Sequence, residues 1–350
     1  SGTGLTEYAY QLIGHMKPML LKKDSIDELY ALEVSERNNI RGLIITNTAF
    51  KRKIAAIPKN KYDVIHVTDQ EIGFIAKIVK NAGMNAKVIT TVHDLSRFEK
   101  GLHMGIGQKV YNRLVKGSTA DAINYSDMIL CNSSQTYETV GKMFGKKADI
   151  KVVLHGTNDN FFKTPLKEYV ADGNKFIVGY IGALMYHKNV AFILNAANRL
   201  KRDRSIMFKL YGTGVENKAL QSLKSRLKLT NAVFNGHLKE ENKVNTYDSF
   251  NIFVFPSMYE GLGYPILEAQ ARGLPVIIYK YGKIPKEVRK YCFEAESPEH
   301  MARIIEDLKE NSYGEKQRKK ATEYARSFTW ERCAKETLEV YKKLQASVII

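Results

Sequence analysis

Short, continuous runs of apolar and β-branched residues alternate along the whole chain with longer stretches whose apolar positions recur every three or four residues. The short runs predict strands at Gly42–Thr46, Val64–Val67, Lys87–Val92, Met128–Cys131, Lys151–Leu154, Phe176–Ile181, Met207–Leu210, Ala232–Phe234, Ile252–Phe255 and Val276–Tyr279. Each is brief and apolar on both sides of the backbone, as in strands covered on both faces of a parallel sheet. Between them, Val190, Ile193, Leu194, Ala197 and Leu200 place an amphipathic helix over 190–200. The order βαβα, run twice, predicts an α/β chain of two doubly wound, Rossmann-like domains with ligands at the carboxyl ends of the strands.

The stretch 161–175 holds Pro165, Asp172 and Gly173 with little apolar periodicity, and it reads as the linker. The expected division is residues 1–165 for the first domain, 175–328 for the second, and 329–350 for a terminal amphipathic helix. That helix carries Trp330, Cys333, Ala334, Thr337, Leu338 and Tyr341 along one face. At the other end, Ser1-Gly2-Thr3-Gly4 is a glycine-rich turn running straight into a helix pattern, Leu5 to Leu12. In a doubly wound domain such a turn follows the first strand, so that strand is absent from this numbering or the fold departs from the usual plan.

Composition narrows the class. A chain of 350 residues, 44 % hydrophobic and 10 % aromatic, builds packed cores and is not globally disordered. No uncharged apolar stretch reaches the roughly 18 residues of a membrane-crossing helix. Cys131, Cys292 and Cys333 are too few and scattered for a disulfide framework or zinc site; with no secretory pattern visible, the expected location is the cytoplasm. The net charge is +17, with 23 basic against 16 acidic residues up to Pro165 and 31 against 21 beyond it. A bias shared by both halves argues against a dedicated basic tail. One local basic run with interleaved apolar residues, Phe50 to Lys61, reads first as a solvated face. Its second reading is a surface for anionic lipid, which makes the cytoplasmic membrane face a second candidate partner.

The most informative segment runs from Phe255 to Pro275. A buried strand ends at Phe255, a loop with Gly261 and Gly263 follows, Pro265 sits where the first helical residue belongs, and Gly273 stands just past the last. Glu268 then falls in the first turn of a short helix, and Glu260 in the loop, so both carboxylates can face a ligand crevice. Such carboxylates accept from both hydroxyls of a sugar or ribose diol, while Gly261, Leu262 and Gly263 offer backbone N–H groups at close range. Taken singly, each Glu is a helix-charge complement or a surface residue; the whole arrangement is harder to explain that way.

A second constellation, Ile181 to Asn189, contains Gly182, His187 and Lys188 after another strand. Asn189 is the expected N-cap of the helix over 190–200, which puts Lys188 beside the positive end of a helix. An anion, most simply a phosphate, resolves that conflict; an isolated lysine would swing into solvent. Gly212 and Gly214 form a further glycine turn, a weak signal that a simple turn also explains. In the first half, His93 and Asp94 end a strand, where a histidine can donate to a sugar hydroxyl or a developing charge. His155-Gly156 repeats that pattern more weakly.

These residues resemble the retaining glycosyltransferases of family 4, which have the GT-B architecture of two Rossmann-like domains facing across a cleft. Glu260 and Glu268 stand in the family's Glu-x(7)-Glu spacing, inside a Pro-Ser-x-x-Glu-Gly-x-Gly-x-Pro-x-x-Glu-Ala frame. The similarity also covers Asn132-Ser133-Ser134, His155 to Asn158, Gly182 to Lys188, Tyr211 to Gly214, Gly282 to Val288 and Phe328 to Glu331. It implies a nucleotide-diphosphate sugar donor and a glycan or lipid-linked acceptor, with hexose transferred and no metal or other cofactor. By the same resemblance Glu268 binds the ribose, and Glu260 with the Gly261–Gly263 backbone binds the sugar. Lys188 binds the diphosphate, Gly2 and Gly4 border the phosphates or acceptor, and His93 contacts the sugar. The terminal helix is expected to return to the N-terminal domain. Many members carry Arg where His187 stands, which makes that diphosphate contact weaker, pH-dependent or supplied elsewhere.

Two rival readings remain at this level. Nucleotide-sugar epimerases share the architecture but are disfavoured by the Glu-x(7)-Glu frame. A non-enzymatic basic protein binding membrane or nucleic acid lacks support, because the basic residues are not interleaved with aromatics in a stripe and no nucleic-acid-reading motif is present. No nucleic-acid partner is expected.

Overall fold

The computed structural model describes residues 4–28, 40–95, 98, 106–145, 148–166 and 175–346. The chain forms two compact units, residues 1–156 with 330–350, and residues 157–329.

In the first unit, β1 (Val64–Val67), β2 (Lys87–Val92), β3 (Met128–Cys131) and β4 (Asp149–Val152) pair in parallel in that order. Around them are α1 (Gly4–Met16), α2 (Ile40–Ala55), α3 (Phe74–Asn81), α4 (Ile106–Tyr125) and α5 (Ser134–Phe144). β4 begins two residues before the expected Lys151. The strand expected at Gly42–Thr46 is instead part of α2. Thr46, Phe50 and Ile54 are buried at four-residue spacing, the repeat of one helix face. Phe50 and Ile54 share a core with Ile75, Val79 and Val88. A local β-branched run therefore loses to a helical repeat that extends from Thr46 to Ile54. The same packing leaves the basic run Phe50 to Lys61 with exposed Lys51, Arg52 and Lys53 but with its large apolar residues turned inward.

The second unit contains α6 (Asn160–Lys163), β5 (Phe176–Ile181), α7 (Val190–Leu200), β6 (Ile206–Tyr211), α8 (Asn217–Arg226) and β7 (Ala232–Phe234). It continues through α9 (Lys243–Asp248), β8 (Ile252–Phe255), α10 (Tyr264–Ala271), β9 (Val276–Tyr279), α11 (Lys286–Arg289), β10 (Cys292–Ala295), α12 (Pro298–Asn311) and α13 (Glu315–Arg326). The strands pair in parallel in the order β10-β9-β8-β5-β6-β7. The chain winds outward from β5 through β6 to β7, then crosses to β8 on the other side of β5. Strand order reverses between β5 and β8, and a crevice opens at the carboxyl ends of strands at such a reversal. β10 escapes a reading based on apolar runs because Glu294 interrupts it; this edge strand is held by Arg289, whose guanidinium binds the Glu294 carboxylate at 2.7 Å.

The units part after Gly156, nine residues earlier than expected, and Arg272 shows why residues 161–165 go with the second. Its fully buried guanidinium donates from Nε and Nη2 to Asp248 at 2.7 and 3.0 Å. The other N–H groups go to the carbonyls of Phe161 (2.8 Å), Thr164 (3.0 Å) and Pro165 (2.8 Å). All five donors of the fork are used. The last helix, α14 (Trp330–Ala346), packs on α1 in the first unit. Its Tyr341 hydroxyl lies 2.6 Å from His66 Nδ1 on β1, and Trp330 stacks on His155.

Candidate functional site

The loops after β5 and β8 meet where the strand order reverses. β5 gives way at Gly182 to a loop and a 3-10 turn, Tyr186–Lys188. Asn189 closes that turn in the left-handed region, φ 53°, and stands at the N-cap of α7 as expected, but its side chain makes no capping hydrogen bond. After β8, the Met258 N–H donates to the His187 carbonyl at 2.7 Å, while Lys283 N–H donates to Met258 O and Glu260 N–H to Lys283 O at 2.8 and 3.1 Å. The wholly buried Ser257 places Oγ 3.2 Å from His187 O and 3.0 Å from Tyr259 O.

This lacing brings Lys188 Nζ to 2.6 Å from Glu260 Oε1, with the side chains only 17 % and 9 % exposed. The ammonium also stands 5.4 Å over the Phe255 ring. The anion that the lysine demands is therefore, within this chain, the Glu260 carboxylate. His187 is half-buried and contributes its carbonyl to the lacing.

α10 has its N-cap at Gly263, φ 96°, a conformation an L side chain resists. Leu262 turns its side chain into the core, so toward a ligand it has only backbone to offer. With Tyr264 as the first helical residue, Glu268 lies in the second turn rather than the first, correcting the expected placement. Its buried carboxylate accepts a 2.8 Å hydrogen bond from the Tyr247 hydroxyl at Oε2, and Lys243 Nζ is 3.2 Å from Oε1. Lys243 also reaches Glu240 at 3.0 Å. Burial, then Glu268, push the Tyr247 hydroxyl far up and keep it protonated. Burial alone would lower the Lys243 pKa, but the two carboxylates outweigh it and raise it. Sequence reasoning missed both residues; their i, i+4 spacing on α9 is a signal only once α9 is known to face α10.

Gly182, Gly212 and Gly214 are explained by close packing between the loops after β5 and β6. A Cβ on Gly212 (φ 144°) would lie 1.8 Å from the Gly182 carbonyl oxygen, and one on Gly214 2.2 Å from that of Leu184. The loops are joined by Gly182 N–H to Tyr211 O and Leu184 N–H to Thr213 O, at 3.0 and 2.9 Å. A Cβ on Gly182 would meet the Tyr180 hydroxyl at 2.7 Å.

In the first unit, Gly2 lies outside the described residues and Gly4 opens α1. His93 is buried, and its Nε2 lies 2.7 Å from the Thr68 carbonyl, an acceptor, so Nε2 carries the proton and Nδ1 is the accepting nitrogen. The expectation that His93 donates to a ligand is revised: its donor is already used. Gln70 fixes the backbone there, accepting from His93 N–H at 2.9 Å and donating to Asp94 O at 3.2 Å. Burial draws the His93 pKa down to about 4 and that of His66 to about 3. The Tyr8 ring packs against His93 and His155, with centroids at 4.6 and 4.4 Å.

Among the described residues, no group of three or more His, Cys, Asp or Glu is placed to hold a metal ion, and no helix is long and apolar enough to cross a membrane. The three cysteines are free thiols.

Comparison with known proteins matches residues 162–328 to the family described as glycosyl transferases group 1, and residues 20–161 to glycosyltransferase family 4. The chain is similar to O-antigen chain mannosyltransferase B of Escherichia coli, 26 % identical over 273 residues, covering 74 % of this chain and 71 % of that protein. It is similar to D-inositol 3-phosphate glycosyltransferase of Corynebacterium diphtheriae, 22 % identical over 304 residues, covering 80 % and 70 %. Sucrose-phosphate synthase from Thermosynechococcus elongatus has the same fold, with a TM-score of 0.76 at 18 % identity over 99 % of this chain and 94 % of that one. So does Anabaena HepE, solved with UDP and glucose, with a TM-score of 0.65 at 18 % identity over 86 % and 82 %.

Proposed function

Because the chain belongs to glycosyltransferase family 4 and is a sugar-transferring enzyme of GT-B fold, we propose that it moves a hexose from a nucleotide-diphosphate sugar to a glycan or lipid-linked acceptor. The carrying observation is the Lys188–Glu260 pair where the strand order of the second unit reverses. It sets a cation for a diphosphate beside a carboxylate for sugar hydroxyls. In this reading Glu268 takes the ribose hydroxyls, Glu260 and the Gly261–Gly263 backbone take the sugar, and His187 lies alongside Lys188. Within the first unit, His93 offers Nδ1 as its accepting nitrogen. Gly182, Gly212 and Gly214 shape the crevice by letting its loops approach. The mannosyltransferase and glucose-bound relatives support a hexose, and the UDP-bound neighbour a nucleotide donor.

The transfer retains anomeric configuration and needs no metal: charge developing on the departing diphosphate is offset by Lys188 and nearby backbone N–H groups. The protein works in the cytoplasm and meets the membrane face through α4. Lys109, Val110, Arg113, Leu114 and Lys116 are exposed there, with Val110 and Leu114 at 45 % and 41 %, and residues 106–117 contain no acid. Cations and aliphatic chains together fit an anionic lipid surface. This replaces the Phe50 to Lys61 run, whose apolar residues are used in the core.

Thermal-shift screening with UDP-, GDP- and ADP-sugars identifies the donor, since a ligand at about 100 times its Kd stabilises the fold by about 2.7 kcal/mol. With that donor, Lys188→Ala slows turnover about 10²–10³-fold. Near-normal turnover removes Lys188 from the diphosphate.

A further inference from the structure

We infer that Tyr247 is a positioning residue that aims the Glu268 carboxylate at the donor's ribose, with Lys243 as its partner on the other oxygen. The inference rests on the reading of Glu268 given above. An ionised carboxylate offers about four acceptor sites on two oxygens. Tyr247 takes one on Oε2 at 2.8 Å and Lys243 one on Oε1 at 3.2 Å. One site on each oxygen is left, which is the number two vicinal hydroxyls need.

The two partners differ in stiffness. The Tyr247 ring is wholly buried, with Phe161, Phe250 and Phe253 at centroid distances of 5.6, 6.1 and 5.2 Å. Its hydroxyl cannot move away from Glu268; the nearest other acceptor is Pro265 O, at 3.4 Å. Lys243 sits on a flexible stem, partly exposed, and divides its charge between Glu268 and the exposed Glu240. Tyr247 therefore fixes the angle of the carboxylate, and Lys243 holds its charge. A second tie, from Asp248 beside Tyr247 on α9 to Arg272 one turn beyond Glu268, keeps α9 and α10 in register.

The test measures binding of UDP and GDP, and of their 2′,3′-dideoxy counterparts, to the full chain by calorimetry. Wild type prefers the ribose form. Glu268→Ala loses that preference, and Tyr247→Phe, which keeps the ring, reduces it about tenfold, the equivalent of one hydrogen bond, while dideoxy affinity is unchanged. Lys243→Met, at a partly exposed site, lowers the preference less and serves if Tyr247→Phe fails to fold. Ribose preference persisting in Glu268→Ala overturns the reading of Glu268. Preference lost in Glu268→Ala but intact in Tyr247→Phe, or in Lys243→Met where that variant stands in, overturns the positioning role alone. An equal loss for ribose and dideoxy forms in Tyr247→Phe marks a merely structural role and also overturns it.

Discussion

Glu260→Gln should tighten the binding of a nucleoside diphosphate while slowing sugar transfer. Lys188 Nζ is 2.6 Å from Glu260 Oε1, and both side chains are largely buried. An ammonium has further N–H groups, so a phosphate oxygen can share it at about 2.8 Å and near the tetrahedral angle. That oxygen then lies about 4.4 Å from Oε1, a distance set by those two bond lengths and angle. Two like charges so separated repel by about 4 kcal/mol at an effective dielectric of 20, and by about half that with partial solvent and salt screening. Gln keeps the shape and a neutral contact to the lysine but removes the repulsion. The expected gain is about 2 kcal/mol, or about 30-fold in the Kd of UDP or GDP by calorimetry. Transfer falls, because Gln accepts more weakly from a sugar hydroxyl and the product leaves more slowly. A Kd that is unchanged or larger in Glu260→Gln refutes the idea that the pair and the diphosphate meet at one cation.

Other outcomes follow from the same geometry. Arg272→Met strips the Asp248 carboxylate and three carbonyls of their donor. It should cost about 3–5 kcal/mol in urea unfolding followed by circular dichroism, and a loss under about 1 kcal/mol would show the fork to be dispensable. His66, His93 and His155 are held neutral by burial, with pKa values drawn below the usual 6.5. The unfolded chain therefore binds more protons below that pH, and the histidine contribution, fully present above about 6.5, falls by about 1.4 kcal/mol per pH unit for each group down to its folded value. Trp330, the sole tryptophan, stacks on His155. Its fluorescence should report a lower unfolding midpoint at pH 5 than at pH 7, and equal midpoints would contradict the burial argument. In vesicle flotation, Val110→Asp with Leu114→Asp should lower recovery with anionic lipid more than Lys51→Glu with Lys53→Glu does. The reverse ranking would return the membrane face to the basic run, and equal recovery on neutral and anionic vesicles would end the membrane reading.

What the sequence determined by itself is local. Continuous apolar runs such as Ile252–Phe255 could only be covered strands, and Gly263, Pro265 and Gly273 bounded α10 because left-handed backbone and fixed φ are properties of single residues. The Glu260–Glu268 frame was legible for the same reason. Where local signals competed, a short window misled: Gly42–Thr46 looks β-branched until Thr46, Phe50 and Ile54 are seen to share a helix face. Partnership was out of reach. Tyr341 meets His66 across 275 positions, Lys188 meets Glu260 across 72, and the five acceptors of Arg272 come from two segments far apart in the chain. Which side chains share a site depends on strand order, and the reversal between β5 and β8 that creates the crevice is written in no stretch of residues. Periodicity and turn chemistry are short-range and survive in the sequence; the order in which a sheet is wound, and the buried polar pairs it brings together, exist only when the whole unit packs.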